Sequence, residues 1–276
     1  MATIVVLTHE YDAFDARSYA LRAVLGSWRE AGHRVLVHAG ERDAPAGDVA
    51  VVHVDASVLP PAYLEAAAAF PVALNARAVD LRKRAVSPNL LARGDAWAGA
   101  VVVKTDLNCA GVPERLHDLE SARRGLPQPH GFGPPAPRYF VVPSLGAVPD
   151  AVWADRRLVV ERFLPERDER GYAVRIWVFL GGRERCNVWH ADSPFVKGPT
   201  IRDREPCEVP EAMREARARL GLDYGKIDFV LHEGRPVLLD ANRTPGAPPA
   251  SARAAAEAAW LAGGLDGWVA RAERGA

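Results

Sequence analysis

The sequence predicts a mixed α/β chain in which a helix-connected parallel sheet comes first and antiparallel hairpins follow. Three observations predict this. Short β-branched runs alternate with helical stretches through the first 75 residues, a rhythm that implies crossovers and parallel pairing. Gly181-Gly182 stands between two strand-like runs, 175–180 and 183–189, as a two-residue hairpin loop does. Another pair of apolar runs, 224–230 and 236–242, flanks Gly234 and reads as a second hairpin.

Taken in order, residues 3–7 are a buried strand. Residues 16–31 carry Tyr19, Leu21, Val24, Leu25 and Trp28 at helical spacing and stop at Gly32. Strands follow at 35–37 and 49–54, a helix starts at Pro60-Pro61, and a fourth strand covers 72–74. Together they make a Rossmann-like lobe over 1–79. No G-x-G-x-x-G occurs in it, so it is not read as a dinucleotide site. Residues 80–93 read as a basic helical segment broken near Pro88. Val101-Val102-Val103 is a strand ending on Lys104, and 125–138 is a Pro/Gly-rich insertion or flap. Strands at 139–142 and 158–164 bracket a short helical turn at 148–153. Residues 210–220 form an amphipathic helix stopped by Gly221, and the alanine-rich stretch 250–272 a pair of packing helices.

Length and composition narrow the function. The 276 residues are 49% hydrophobic, enough for two or three compact lobes. Basic and acidic residues balance at 35 each, so no clustered basic excess points to nucleic acid. No apolar run approaches the ~18 residues of a membrane helix, and the start lacks the pattern of a signal peptide. Cys109, Cys186 and Cys207 show no metal-binding spacing and fit reduced thiols in the cytoplasm. His117, His130, His190 and His232 have no partner by spacing and read as surface or structural histidines.

Chemistry concentrates in the second hairpin. Asp240 and Asn242 alternate onto one face of its return strand. A loop centred on Gly234 sets Asp228 opposite Asp240 on that face. Two carboxylates and an amide oxygen that leave room for water and phosphate suit Mg²⁺. Upstream, Lys104 ends a buried strand and precedes the small-residue loop Asn108-Cys109-Ala110-Gly111. A lysine there is costly unless it meets an anion, and lysine binds phosphate as a point charge. The chain contains no P-loop pattern.

The order of these parts resembles the ATP-grasp superfamily, especially its carboxylate–amine ligases. The resemblance runs from Asn75 to Gly246. It is carried by Lys104 and its loop, by Val159-Val160-Glu161-Arg162-Phe163, by Val174-Arg175-Ile176 and by Leu239-Asp240-Ala241-Asn242-Arg243-Thr244-Pro245-Gly246. It implies a small lobe at 80–155, a large lobe with the metal hairpin at 156–276, and ATP held between two antiparallel sheets. By the same resemblance, Lys83 and Lys104 contact phosphate, with Arg82 or Arg84 as alternatives to Lys83, and Gly111 belongs to the phosphate loop. Glu161 faces the adenine, and Glu166 or Asp168 takes the ribose. Asp228, Asp240 and Asn242 hold Mg²⁺, Lys104 and Arg175 serve phosphoryl transfer, and Arg243 with Thr244 orients the transferred group. The chain departs from the pattern in having one glycine, Gly111, in its loop, and Asp240 where many members carry glutamate. The implied activity is an ATP- and Mg²⁺-dependent ligase acting on an unidentified small-molecule or peptide carboxylate. A small-molecule kinase and a non-catalytic ATP-binding protein are the alternatives.

Overall fold

The computed structural model describes residues 1–131, 139–196 and 200–275. The N-terminal lobe is built on a four-stranded parallel sheet of order β2-β1-β3-β4. Its strands are β1 (Thr3–Thr8), β2 (Arg34–Ala39), β3 (Val49–Val52) and β4 (Val72–Leu74). Helix α1 (Ala20–Glu30) joins the first two, and α2 (Pro61–Ala68) the last two. The stripe Leu21, Val24, Leu25 and Trp28 is buried as the helical spacing requires.

Between residues 80 and 93 only α3 (Lys83–Val86) is helical, shorter than expected. Ser87 is already extended at ψ 126°, because the ring of Pro88 excludes the helical region for the residue before it. The small sheet is three-stranded and antiparallel, of order β6-β5-β7. It comprises β5 (Val101–Thr105), β6 (Phe140–Val142) and β7 (Leu158–Arg162). Helix α4 (Val112–Arg123) and the short α5 (Asp150–Ala154) complete this part. One face of the sheet packs Val101, Val103, Leu158 and Val160 against Val148 and Val152. The expected insertion at 125–138 lies partly outside the described residues.

The large sheet has six strands. These are β8 (Glu166–Asp168), β9 (Gly171–Leu180), β10 (Arg183–Ala191), β11 (Ile201–Pro206), β12 (Tyr224–His232) and β13 (Arg235–Asn242). Gly181-Gly182 is the hairpin turn between β9 and β10, where Leu180 pairs with Arg183. Trp177, Phe179, Ile227, Phe229 and Leu238 form a core with Met213 and Ala216 of α6 (Glu211–Leu220). Gly221 ends α6 in a left-handed conformation at φ +66°.

The tail forms α7 (Ala252–Ala262) and α8 (Asp266–Gly275). It belongs to the N-terminal core as much as to the large sheet: Leu261, Ala262, Leu265 and Val269 bury against the α1 stripe. Trp28 Nε1 donates to Ala262 O at 2.9 Å. Asn75 fastens the same two parts. Its side chain donates to Tyr224 O and accepts from the N–H groups of Asp223 and Tyr224, which sets where β12 begins. Among the described residues no helix is long and apolar enough to cross a membrane.

Candidate functional site

The site grows from the register of β12 against its neighbours. Asp228 pairs with Asp240 and Lys226 with Asn242, and directly paired residues share a face. The pairing is the expected one, but its cause differs. The turn is the two-residue Glu233-Gly234, with His232 opposite Arg235. That register alone would put Asp228 opposite Leu239. A bulge between Asp228 and Phe229 shifts the count by one residue and restores the acid pair.

Lys226 is the residue that sequence reasoning missed. It lies two positions before Asp228, so alternation puts both on one face, and its Nζ stands 2.6 Å from Asp228 Oδ2. Asp228 Oδ1 is buried without a partner. Burial raises the Asp228 pKa and Asp240 raises it further, against the pull of Lys226. Burial would lower Lys226, but Asp228 and Asp240 outweigh it and hold the ammonium charged.

Of the three basic residues on the neighbouring segment, Lys83 enters the site. Arg82 is spent on Asp80 at 2.6 Å and Arg84 on Asp106. Lys83 is buried, its N–H bonded to Asp106 O. Its Nζ lies 3.4 Å from Asp240 Oδ1, 3.4 Å from Leu107 O and 3.5 Å from Asn108 Oδ1. Burial opposes its charge, but Asp240, Tyr139 and Glu161 together outweigh it. Asn108 Nδ2 bonds Ala241 O at 2.8 Å, which seats the loop after β5 on β13. In that loop Cys109, Ala110 and Gly111 all take left-handed conformations, at φ 48°, 57° and 70°.

Lys104 and Glu161 share the inner face of the small sheet and bond each other at 2.7 Å. Glu161 Oε1 is buried without a partner and lies within electrostatic reach of Lys83. The N–H groups of Arg162 and Phe163, next along the expected adenine strand, are spent on Asn89 O and Ala100 O.

Three expected residues are not brought to this cluster. Arg175 pairs in register with Phe229, one position off Asp228. It therefore points to the opposite face of the sheet, with Trp177 and Phe179. Its guanidinium is bidentate to Glu166, the shortest contact being 2.7 Å. Glu166 also accepts from Leu231 N–H at 2.6 Å. Register places Glu166 and Asp168 opposite Ala173 and Gly171, on the Arg175 side. Asp168 bonds Arg170 N–H and the His190 ring.

Asn242 stands on the right face, but its Oδ1 accepts from Thr244 N–H at 2.8 Å and Thr244 Oγ–H at 3.0 Å. Asp228 and Asp240 therefore fit a Mg²⁺ ion, being hard oxygen donors with one unpartnered Oδ1. The Asn242 oxygen is engaged locally.

Arg243 anchors a second, adjoining cluster of buried polar groups. It is fully buried, Nη2 reaching Ser57 O and Val79 O at 3.4 Å, while Nε and Nη1 have no partner. Burial lowers its pKa to about 10, against Asp55, Asp80 and Glu114. Nearby, both ring nitrogens of His53 and Glu114 Oε2 are also buried and unpartnered. Asp55 accepts from the hydroxyls of Thr244 at 2.6 Å and Tyr19 at 2.8 Å. Unmet polar groups this dense are costly unless something fills the space between them.

A parallel N-terminal lobe followed by two antiparallel sheets that meet around lysines and carboxylates is the ATP-grasp architecture, and the chain has that fold. No family model and no curated sequence matches the chain, so the likeness lies in the structure. D-alanine–D-alanine ligase from Bacillus anthracis superposes with a TM-score of 0.53 at 13% identity, covering 99% of this chain and 98% of that one. A RimK-domain ATP-grasp protein from Sphaerobacter thermophilus gives 0.53 at 16% identity, covering 94% and 98%. The ATP-grasp ligase PsnB, solved with minimal precursor, Mg and ADP, gives 0.51 at 13%, covering 98% and 97%.

Proposed function

We propose that the chain is an ATP- and Mg²⁺-dependent ligase that activates a carboxylate as an acyl phosphate and passes the acyl group to an amine. One observation carries the reading: the Asp228–Asp240 pair, with an unpartnered buried oxygen, flanked by Lys226 and Lys83. Charge of both signs at one spot is what a triphosphate and its counterion require. The Mg and ADP bound by PsnB support the same assignment.

In this reading a carboxylate oxygen of the substrate attacks the γ-phosphorus and ADP leaves. The amine then attacks the acyl carbon, the nitrogen loses a proton and phosphate departs. Mg²⁺, held by Asp228 and Asp240, would supply charge neutralisation on the phosphates. Lys226 and Lys83 neutralise the oxygens nearest them. Lys104, bonded to Glu161, lines the small-sheet side. Arg243 and His53 offer donors to a carboxylate, and Asp55 and Glu114 offer acceptors to an amine. The buried polar cluster beside the acid pair thus suits the ligase over transfer to a neutral hydroxyl.

An ADP-release screen of carboxylic acids and peptides, each paired with amines, tests the proposal. ADP, phosphate and an amide in equal amounts are expected. A phosphoester without free phosphate would replace the ligase with a kinase, and no purine nucleotide binding at all would end both readings.

A further inference from the structure

Helix α4 carries a further polar cluster, whose histidines lie outside the proposed nucleotide and acceptor sites. Its buried side is polar over about two turns: Glu114, His117, Asp118 and Ser121. Glu114 bonds Ser57 N–H beside Arg243, and His117 turns to the end of β1. There the His9 ring stacks on it, centroids 3.7 Å apart and planes 6° from parallel. The chain beyond α4 folds back on the helix. Leu126 N–H donates to Ser121 O at 3.0 Å, Ser121 Oγ–H to Pro127 O at 2.7 Å, and His130 N–H to Asp118 Oδ1 at 2.8 Å. These bonds hold His130 beside His117, its Nε2 3.3 Å from His117 Nδ1.

One ring nitrogen from each of His9, His117 and His130 lies within 4.8 Å of the others. His117 is 1% exposed, and its Nε2 is buried with no partner. Whichever tautomer it takes, one of its nitrogens goes unused. We propose that His9, His117 and His130 form a binding site for a zinc-class transition-metal dication that ties the end of β1 to α4. Three imidazoles with no carboxylate among them select such an ion over Mg²⁺ or Ca²⁺.

The spacing supports this. His130 lies 5.5 Å from the His117 centroid and 5.9 Å from that of His9. Rings radiating from one ion through metal–nitrogen bonds of about 2.1 Å stand roughly that far apart. The stacked pair is closer, so uptake splays His9 from His117 and competes with the bond from Tyr11 N–H to His9 Nδ1. His130 forms the less buried side of the cluster.

The test uses the full chain, free of any tag, stripped with chelator and without nucleotide. Zn²⁺ is followed by calorimetry and Co²⁺ by visible absorption. One saturable equivalent is expected, with a raised Tm and d–d bands but no near-ultraviolet thiolate band. His117→Ala and His130→Ala should each weaken binding at least about tenfold, the loss seen even for an outer partner. His130→Ala, at the less buried side, keeps the test valid should His117→Ala not fold. Asp228→Asn and Cys207→Ser should leave binding unchanged; the latter matters because the Cys186 and Cys207 sulfurs lie 3.2 Å apart. Absence of saturable binding, binding indifferent to both histidine changes, or a thiolate band lost in Cys207→Ser would overturn the proposal.

Discussion

Lys83 and Asp240 are 157 positions apart in the chain, yet the lysine ammonium stands 3.4 Å from the aspartate carboxylate. Lys83 is held from the small-sheet side through Asp106, and Asp240 from the large sheet through Asp228. The contact therefore reports how closely the two sheets approach. A nucleotide and Mg²⁺ entering between them would meet both partners.

Asp228→Asn and Asp240→Asn should each lower ATP turnover at least about 100-fold, the scale of one lost preorganised electrostatic partner. Circular dichroism should show the fold retained. Asp228→Asn should also cost about 1–3 kcal/mol in denaturant melts, since Lys226 loses its partner. Unaltered ADP release in both variants would remove the metal from this hairpin.

Lys226→Met and Arg175→Met should separate. The first removes a charge on the Asp228 face and should slow turnover about 100-fold or more. The second leaves Glu166 half-buried on the far face with Leu231 N–H but no cation. It should lower stability by about 1–3 kcal/mol while kcat/KM stays within roughly fivefold. Steady-state kinetics and melts on both variants decide; equal kinetic losses would mean the sheet face is misassigned.

Arg243→Met should raise KM for the carboxylate substrate and leave ATP affinity unchanged. Stability should hold or rise, because the side chain removed is a buried guanidinium with two unpartnered nitrogens. Calorimetry with ATP alone, beside kinetics with the substrate found by the screen, checks both halves. A lost ATP site with unchanged KM would place Arg243 on the nucleotide instead.

His53→Phe should blunt acid denaturation. Burial, with Arg243 close by, lowers His53 from 6.5 to about 3. A depressed histidine stabilises the fold fully above its unfolded value, and the benefit is lost as pH falls through 6.5 towards 3. Within that window one proton is worth about 1.4 kcal/mol per pH unit. Urea melts between about pH 6.5 and 4.5 should show the variant's slope shallower by that amount. An identical slope would mean that His53 is not protonated on unfolding.

Much of this could be read in the sequence, for reasons that also explain the misses. The acid pair was legible because alternation on β13 and a hairpin turn constrain it, although the bulge that completes the register leaves no mark in composition. Arg175 shares its face with Trp177 and Phe179, and that apolar company already pointed to the α6 side. Lys226 was equally legible, two residues before Asp228. The break near Pro88 was legible, since the residue before a proline leaves the helical region; that only Lys83–Val86 of residues 80–93 is helical was not. His9, His117 and His130 could not have been grouped, since only the fold-back after α4 brings them together. His190 and Asp203, 2.8 Å apart, likewise could not have been paired from the sequence, since only the pairing of β10 with β11 brings them together.

The contact between Trp28 and Ala262 spans 234 positions, and this sets a schedule for synthesis. At ribosomal rates of about 5–20 residues per second, roughly 10 to 50 seconds separate the two. Through that interval the α1 stripe has its partners on β1 and β3, Ile4, Val6, Val49 and Val51, but not Leu261, Ala262, Leu265 and Val269. The nascent N-terminal lobe must wait with the tail's side of that core, at Trp28, unfilled. The last helices to emerge close the first lobe made.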